Sequence, residues 1–416
     1  MSLYSALTAS VSGMAGQSSK LATISDNISN NNTTGYKQAD TEFSTLVNGL
    51  NKTSYQAGGV QTSVRYNIGS QGTLNSTSST TDLAISGNGF FVVTDDSGSK
   101  YLTRAGSFTK NADGTLSNTA GYKLMGYDLS AGNSTSGDQS KLKVIDISAA
   151  GLQAAPTTTG ALAVNLPSNN NTIATDLPGD NTANSTYSAK TSLVTYDNLG
   201  NAVTLDIYFA KTGTNTWQMS VFDASGASSG GGFPYTASSA LSPNNTLTFS
   251  PTDGSLTSAS SISLNIPNGR TMSLDIGKMT QLAADFSVTT QNADGNAPSG
   301  LKSLSIGTDG VLSEVYENGT TVAAYKIPLA TVASVDNLSV LNGNVYQTNS
   351  DSGQMVVGDA GSAGFGSIKS SELESSDVDL ATQLTDMIVA QRGYEANSKV
   401  FETGSTLLTE LVNLVK

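Results

Sequence analysis

Side chains able to carry out chemistry are few in this chain. Its 416 residues include no Cys and no His, so the commonest general base, the usual nucleophile–base pairs and the most frequent zinc or iron ligands are missing. A disulfide framework and thiol chemistry are excluded for the same reason. A glycosidase-type pair of carboxylates or an oxygen-ligated calcium ion remains open. The composition therefore makes an enzyme a disfavoured class before any motif is considered.

The carboxylates that stand close together in sequence match neither kind of site. Two acid-bearing turns, at residues 111–114 and 291–295, lack the alternating acidic ligands and the distal Glu of a calcium loop. Glu314 and Glu317 are three positions apart, which places them on opposite faces of a strand. We therefore predict no catalytic, metal-binding or cofactor-binding residues, no cofactor and no small-molecule substrate.

Two long apolar stripes at the ends of the chain are the stronger signal. Within residues 2–28, and again from about residue 376 to residue 416, apolar side chains recur every seven residues, the spacing of a helix that packs against other helices. Such stripes need partners, so we predict an assembly interface made of Leu3, Leu7, Val11, Met14, Leu21, Ile24, Ile28, Leu380, Leu384, Met387, Tyr394, Phe401, Leu408, Val412 and Val415.

The stripes allow two arrangements, an antiparallel pair within one chain or contacts between neighbouring chains. Gly393 and Gly404 each cost a helix interior roughly 1 kcal/mol, and Ser10 and Gln17 interrupt the apolar seam. These features favour neighbouring chains as the partners, with ends that become ordered on assembly. The second helix is predicted to begin near Ser376, which can cap it.

Between the helices the sequence is typical of β-structure. Alternating apolar runs at residues 203–209, 262–266 and 272–276, the last two joined by an Asn-Gly turn, predict an antiparallel sandwich or barrel. Strand patterns before and after this block suggest nested domains. We predict a mostly β fold with α-helical termini, and these divisions: a terminal helical coiled-coil domain, 1–30 and 373–416; an extended connector, 31–80; an intermediate β domain, 81–147 and 286–366; and an inserted outer β domain, 148–285.

Charge and hydropathy limit the kinds of molecule that this chain could bind. With 20 basic and 33 acidic residues the net charge is −13, which argues against nucleic acid and anionic membranes. Charged residues are only 13% of the chain, about half the usual share, so its surfaces make mainly neutral polar contacts. No apolar run approaches the ~20 residues that span a bilayer, and the first residues do not resemble a cleavable signal peptide.

Four segments resemble one protein family. They are NNNTTGYKQ at residues 30–38, GNGFFVV at 87–93, the run at 101–127 that begins YLTRAGSFTK, and the run at 366–408 that contains SSELESSDVDL. All four are similar to the bacterial flagellar rod and hook proteins. The length of the chain and the segments at 192–209 and 309–332 resemble the hook members in particular. Asp377 stands where the family often has Asn, and residues 149–190 match nothing in it.

The resemblance implies a function as well as a fold. Terminal helices would line an inner tube, and the chain would polymerise into a curved hollow hook that passes motor torque from rod to filament as a universal joint. It implies a homopolymer, with rod and hook–filament junction proteins, a hook cap and the flagellar type III export apparatus as partners, and an extracellular location reached without a cleaved signal. The alternatives are a distal rod protein, a β-rich surface adhesin and a carboxylate-based glycan hydrolase.

Overall fold

The computed structural model describes residues 3–47, 57–129, 137–148 and 150–414. A helix stands near each end, α1 (Leu3–Ser29) and α2 (Leu380–Leu414), and the chain between them is almost entirely strands and turns. The predicted fold class, mostly β with helical termini, is confirmed. The chain divides into two compact units: a first unit of residues 1–149, 304–314 and 322–416, and a second unit of residues 150–303 and 315–321. The finer domain boundaries proposed above stay a prediction.

The first unit contains both helices and most of the strands. Its strands before the second unit are β1 (Ala39–Val47), β2 (Ala57–Tyr66), β3 (Leu74–Ser76), β4 (Leu83–Ser86), β5 (Phe90–Thr94), β6 (Lys100–Thr103), β7 (Phe108–Lys110), β8 (Leu116–Asn118), β9 (Lys123–Asp128) and β10 (Lys143–Val144). Those after it are β25 (Pro328–Thr331), β26 (Ser339–Leu341), β27 (Val345–Gln347), β28 (Val356–Asp359), β29 (Ser367–Ser370) and β30 (Glu372–Glu374).

The second unit is built from strands β11 to β21. They are β11 (Gln153–Ala155), β12 (Thr159–Pro167), β13 (Ala189–Tyr196), β14 (Ala202–Gly213), β15 (Thr216–Asp223), β16 (Ala240–Thr248), β17 (Ser261–Asn265), β18 (Thr271–Asp275), β19 (Thr280–Leu282), β20 (Ser287–Ala293) and β21 (Asn296–Ser299). Three further strands lie where the chain passes between the units: β22 (Leu301–Ile306), β23 (Val311–Tyr316) and β24 (Thr321–Lys326).

The main sheet of the first unit runs β9–β5–β6–β27–β26, with antiparallel neighbours. Successive residues of β5 point to opposite faces, and both faces are buried: Phe91 and Val93 enter one apolar core, Phe90 and Val92 another. Two short pairs, β3 with β30 and β4 with β29, join the segment after α1 to the segment before α2. The roots of the two helices are thereby held side by side.

Residues 31–80, predicted as an extended connector with short strands, contain a hairpin of nine-residue and ten-residue strands, β1 and β2. The hairpin packs on α1: the Ser12 hydroxyl accepts the Val60 N–H (3.2 Å), and Thr23 shares a hydrogen bond with Thr41 (2.9 Å). Periodicity did not show this because the strands alternate weakly and one face rests on a helix rather than on a sheet.

In the second unit two sheets enclose one apolar core. One sheet runs β17–β18–β12–β19, with β20 also on β12, and the other runs β13–β14–β15–β16. The predicted Asn-Gly hairpin is confirmed: β17 and β18 pair antiparallel around a turn in which Asn268 has φ 56°. The sheet is not wholly antiparallel as expected, because β12 runs parallel to β18 and β19. β12 is far from β18 and β19 in the sequence, so its pairing with them leaves no local signal.

The acid-bearing turns are explained by turn chemistry. The Asp113 carboxylate accepts hydrogen bonds from the backbone and the hydroxyl of Thr115 (3.0 and 2.7 Å), and these bonds hold its pKa below the ordinary value. Burial raises the pKa of Asp294, but hydrogen bonds from Thr158 and Thr159 outweigh that effect and lower it. Among the described residues no group of three or more acidic side chains could hold a metal ion.

Candidate assembly surface

The two helices pack against each other in opposite directions. Near the root Asn27 of α1 donates to Gln383 of α2 (3.0 Å), and Lys20 lies 3.8 Å from Asp386. Toward the free ends Gly13 faces Asn397 and Gly404 faces Leu7. The antiparallel pair within one chain, the arrangement that the sequence disfavoured, is therefore the one observed. In the described part of the chain no helix is both long and apolar enough to cross a membrane.

Small and polar residues form the seam between the helices. On α2 they recur every seven residues, as Gln383, Ala390, Asn397 and Gly404, and Gln383 and Ala390 are fully buried. We call these four residues the α2 seam. A Cβ added to Gly404 would lie 2.7 Å from Leu7 Cδ2, so the missing side chain allows the close approach.

On α1 the seam includes the small Gly13 and the polar Gln17, although Leu7 lies against Gly404. A Cβ on Gly13 would lie 2.8 Å from Asn397 Oδ1, and one on Gly393 would lie 3.0 Å from the Gln17 side chain. The glycines that the sequence marked only as weaknesses of a helix are therefore points of helix–helix contact. A seven-residue repeat of small and polar residues on α2 could have revealed Gly404, but it lies beside an apolar repeat that is easier to see.

Most of the predicted interface residues lie outside the seam. On α2 six of them are exposed: Leu380, Leu384, Tyr394, Phe401, Leu408 and Val412, while Met387 is half-buried. On α1 Val11 is exposed, Ile24 is buried, and Leu7, Met14, Leu21 and Ile28 are half-buried. The side chain of Leu3 and the whole of Val415 lie outside the described residues. The predicted apolar stripe of α2 thus flanks the seam instead of filling it.

Further exposed apolar residues, missed in the sequence, extend these flanks. They are Tyr4 on α1 and Ile388, Val389, Val400, Leu407 and Leu411 on α2. Tyr4 is 74% exposed and Leu411 is 58% exposed. Exposed apolar side chains in this number favour an interaction site, since a lone monomer gains nothing from exposing them.

Two grooves of different composition border the pair. The front groove, about 440 Å³, is lined by Tyr4, Leu7, Thr8, Val11, Ser12, Ala15 and Phe401. The back groove, about 340 Å³, is lined by Ala6, Lys399, Val400, Thr403, Gly404 and Leu407. A single chain therefore presents two non-identical apolar surfaces, which is the requirement for head-to-tail contacts that do not close into a dimer.

The start of α2 differs from the prediction. The helix begins at Leu380, and its cap is Asp379, whose carboxylate accepts the N–H groups of Ala381 (2.9 Å) and Thr382 (3.3 Å). Ser376 stabilises an earlier turn by accepting the N–H of Val378 (3.3 Å). Asp377, three residues before the helix, is held by the segment after α1, because its carboxylate accepts the N–H of Gln38 (2.7 Å). Propensity alone therefore extended the helix too far.

Paired terminal helices on a β-rich chain, with two unlike apolar grooves beside them, are typical of a protein that assembles with other chains. Four protein-family models match segments of this chain, and all four describe flagellar proteins. Residues 84–179 match the flagellar hook protein FlgE/F/G D1 domain and residues 165–296 the flagellar basal body protein FlaE D2 domain. Residues 7–37 match the flagella basal body rod protein family, and residues 369–414 match the flagellar basal body rod FlgEFG protein C-terminal family.

Similar full-length proteins give the same answer. The flagellar hook protein FlgE of Brucella suis is 44% identical over 418 residues, covering all of both chains. That of Escherichia coli is 32% identical over 98% of this chain and all of the relative. The chain therefore belongs to the flagellar hook protein family, which is named for a structural part of the flagellum. A Helicobacter pylori hook protein structure covers 72% of this chain at 14% identity, with a TM-score of 0.45.

Proposed function

We propose that this chain is the repeating subunit of a bacterial flagellar hook, a curved hollow helical tube. The tube would act as a universal joint that carries motor torque from the rod to the filament, so swimming would depend on it. The observation that carries the proposal is the pair of unlike apolar grooves beside a polar seam. Each groove is one half of a contact whose other half belongs to a neighbouring copy.

The polar seam supports a particular order of events. A helix pair held by small and polar residues gains little from the hydrophobic effect, because the apolar side chains that would supply it stay in water. The helices would then be loosely ordered toward their free ends before assembly and would become fixed there when neighbours cover the front and back grooves. Loosely ordered ends would also suit passage through a narrow export conduit.

The other partners follow from membership of the family. We propose contacts with rod proteins at one end of the tube, hook–filament junction proteins at the other, and a hook cap during growth. Export through the flagellar type III apparatus without a cleaved signal would place the tube outside the cell, attached to the basal body. A distal rod protein is the alternative within the same machinery, and the full-length similarity to hook proteins weighs against it.

A charge placed on an apolar flank tests the proposal. Leu408→Glu, on the exposed flank of α2, should abolish tube formation by the purified full-length chain, because a buried unpaired carboxylate costs several kcal/mol at an interface. Thr406→Glu is the matched control, because Thr406 is also exposed on α2 but is polar, so a charge there removes no apolar side chain from the flank. Sedimentation and negative-stain microscopy would measure assembly, and circular dichroism would check that the monomers are alike.

The paired variants give a clear decision. Tubes from Thr406→Glu and none from Leu408→Glu support the proposal. If both variants assemble as the unmodified chain does, the apolar flanks are not the interface and the proposal is wrong.

A further inference from the structure

Three of the sequence motifs meet at one buried cluster of charges in the first unit. Lys37 comes from the segment between α1 and β1, Arg104 follows β6, and Glu374 ends β30, six residues before α2. The side chains of Lys37 and Glu374 are fully buried and that of Arg104 is 3% exposed. Lysine, arginine and glutamate are rarely buried to this extent, so the arrangement calls for a reason.

Glu374 is the centre of the cluster. One carboxylate oxygen, Oε1, accepts hydrogen bonds from Lys37 Nζ (2.5 Å) and from the Gly72 N–H (2.9 Å). The other, Oε2, accepts from Arg104 Nη1 (3.2 Å). The backbone carbonyl of Glu374 also accepts the N–H of Gly35 (2.8 Å). A single residue thus binds three different segments of the chain.

Arg104 and Lys37 extend the cluster into its surroundings. Arg104 Nη2 donates to the carbonyl of Gly87 (2.9 Å), and its guanidinium lies 5.2 Å from the centre of the Phe90 ring, on the main sheet. Lys37 Nζ also donates to the carbonyl of Ser70. The cluster therefore connects the root of α1, the root of α2 and strand β5.

The backbone around the cluster is packed as closely as the side chains. Gly35, with φ 66°, lies against Arg104 and Ala105, where an added Cβ would be 2.7 Å from the Ala105 nitrogen. A Cβ on Gly72 would lie 2.1 Å from the Ser375 carbonyl oxygen. No side chain fits at either position, so the segments that carry Lys37 and Glu374 have little freedom to shift.

Stability alone does not account for this cluster. Taking three charges out of water offsets most of what their attraction gives, so a buried ion cluster is weak evidence of added stability. Burial lowers the pKa of Lys37, and the nearby Glu374 only partly opposes that effect. Arg104 Nε has no hydrogen-bond partner among the described residues. What ion pairs with fixed geometry do supply is orientation, because only one arrangement satisfies all the charges.

We propose that Lys37, Arg104 and Glu374 form a buried ionic joint that positions the roots of both helices on the main sheet. The joint fixes the direction in which the helix pair leaves the β-structure of the first unit. Its mechanical role rests on the proposed function: in a tube, torque carried by the helices would reach the β-structure through this joint without the helices turning separately. Its existence as a positioning device does not depend on assembly.

The absence of Cys allows a direct test. Ser25→Cys, near the root of α1, and Lys110→Cys, at the end of β7, are both exposed and would carry the only two spin labels in the chain. Electron–electron distance measurements on the unassembled full-length protein should give one narrow distance. Arg104→Met should lose that narrow distance, and Arg104→Lys, which keeps the charge, should restore part of it.

Two further variants separate positioning from stability. Replacing Lys37, Arg104 and Glu374 together by Met removes every charge, so its thermal midpoint should stay at or above that of the unmodified chain while the narrow distance is lost. Glu402→Gln is the matched control, because it removes an exposed ion pair with Lys399 and should change neither quantity.

The outcomes are decisive whatever the chain does in assembly. A broad distance in the unmodified protein, a narrow one in Arg104→Met, or equally broad ones in the Met and Lys variants would each overturn the joint. If the triple variant does not fold, the Arg104 pair alone decides. Failure of the unmodified chain to form tubes contradicts the proposed function but leaves these distances fully interpretable.

Discussion

The seam of the helix pair and the core of the second unit are built on opposite plans. The core buries Trp217, Phe209 and Leu205 completely between two sheets, and the one polar atom of Trp217 donates to Gln281 (2.7 Å). The helix seam buries Gln383 and Asn27 instead, while Phe401 and Leu408 remain exposed. The second unit thus holds its apolar residues inside, whereas the helices keep theirs available. The core of the second unit stabilises the single chain, whereas the exposed apolar residues of the helices are available for contacts between chains.

Truncation of the core tryptophan is the strongest way to break this comparison. Trp217→Ala should lower the free energy of unfolding by about 3–5 kcal/mol, because it leaves a cavity and strips Gln281 of a partner. Urea unfolding followed by circular dichroism in the β region would measure the loss. Leu199→Ala is the control, since Leu199 is 74% exposed and its truncation should change stability by less than about 0.5 kcal/mol.

The helical signal should respond differently to the same variant. If the units are independent, Trp217→Ala shifts the β transition and leaves the helical ellipticity of the folded protein unchanged. A simultaneous loss of helix at the same urea concentration would contradict the division of labour between the two regions.

Local patterns in the sequence predicted the parts of the fold that local physics decides. The Asn268–Gly269 hairpin and the alternation of Leu205 and Ile207 depend on neighbouring residues, and the structure has both. The burial of the second face of β14 was not predictable from the sequence. Its Tyr208 is covered by Tyr235, whose hydroxyl donates to Asp206 (2.6 Å) across 29 residues. Contacts of this kind depend on where a loop folds back.

The candidate site was predictable to a similar degree. Spacing found the apolar stripes but could not show whether a stripe faces a partner helix or water, because Phe401 and Asn397 are four residues apart and share one side of α2. The ionic joint was beyond reach for a different reason: Lys37 and Glu374 are 337 residues apart. A single sequence carries no record of such a pairing.

An apolar residue placed in the helix seam should stabilise the helix pair in the way that apolar residues stabilise the core of the second unit. Asn397→Leu should stabilise the helix pair of the unassembled chain by about 1 kcal/mol, since leucine has the better helix propensity and gains buried apolar area beside Gly13. Thermal melts monitored at 222 nm would measure the shift. Ser398→Leu is the control, because it makes a similar change in propensity at an exposed position.

An equal gain from Asn397→Leu and Ser398→Leu would mean that propensity, not burial at the seam, limits the pair. The lack of buried apolar area at the seam would then not explain the low stability of the helix pair.

The smallest expected effect on stability comes from two carboxylates, one in each unit, whose pKa values are shifted in opposite directions. In the second unit burial raises the pKa of Asp206, but Tyr235, Ser192 and Lys190 outweigh it and the pKa is lowered. In the first unit burial raises the pKa of Asp377, and the Gln38 N–H (2.7 Å) and Lys37 only partly compensate. Ionised Asp206 therefore favours the folded chain, and ionised Asp377 opposes it.

The pH dependence follows from these directions. A raised folded-state pKa means that the contribution of Asp377 is most favourable below about pH 3.8 and declines as pH rises through its folded-state value. Asp377→Asn keeps an oxygen acceptor for Gln38 without the charge. It should therefore equal the unmodified chain near pH 3 and exceed its stability at pH 7, as urea unfolding at both values would show. Lower stability of Asp377→Asn at pH 7 would contradict this prediction. It would mean that the attraction between Asp377 and Lys37 outweighs the cost of burial, and that the Asp377 carboxylate stabilises the ionic joint.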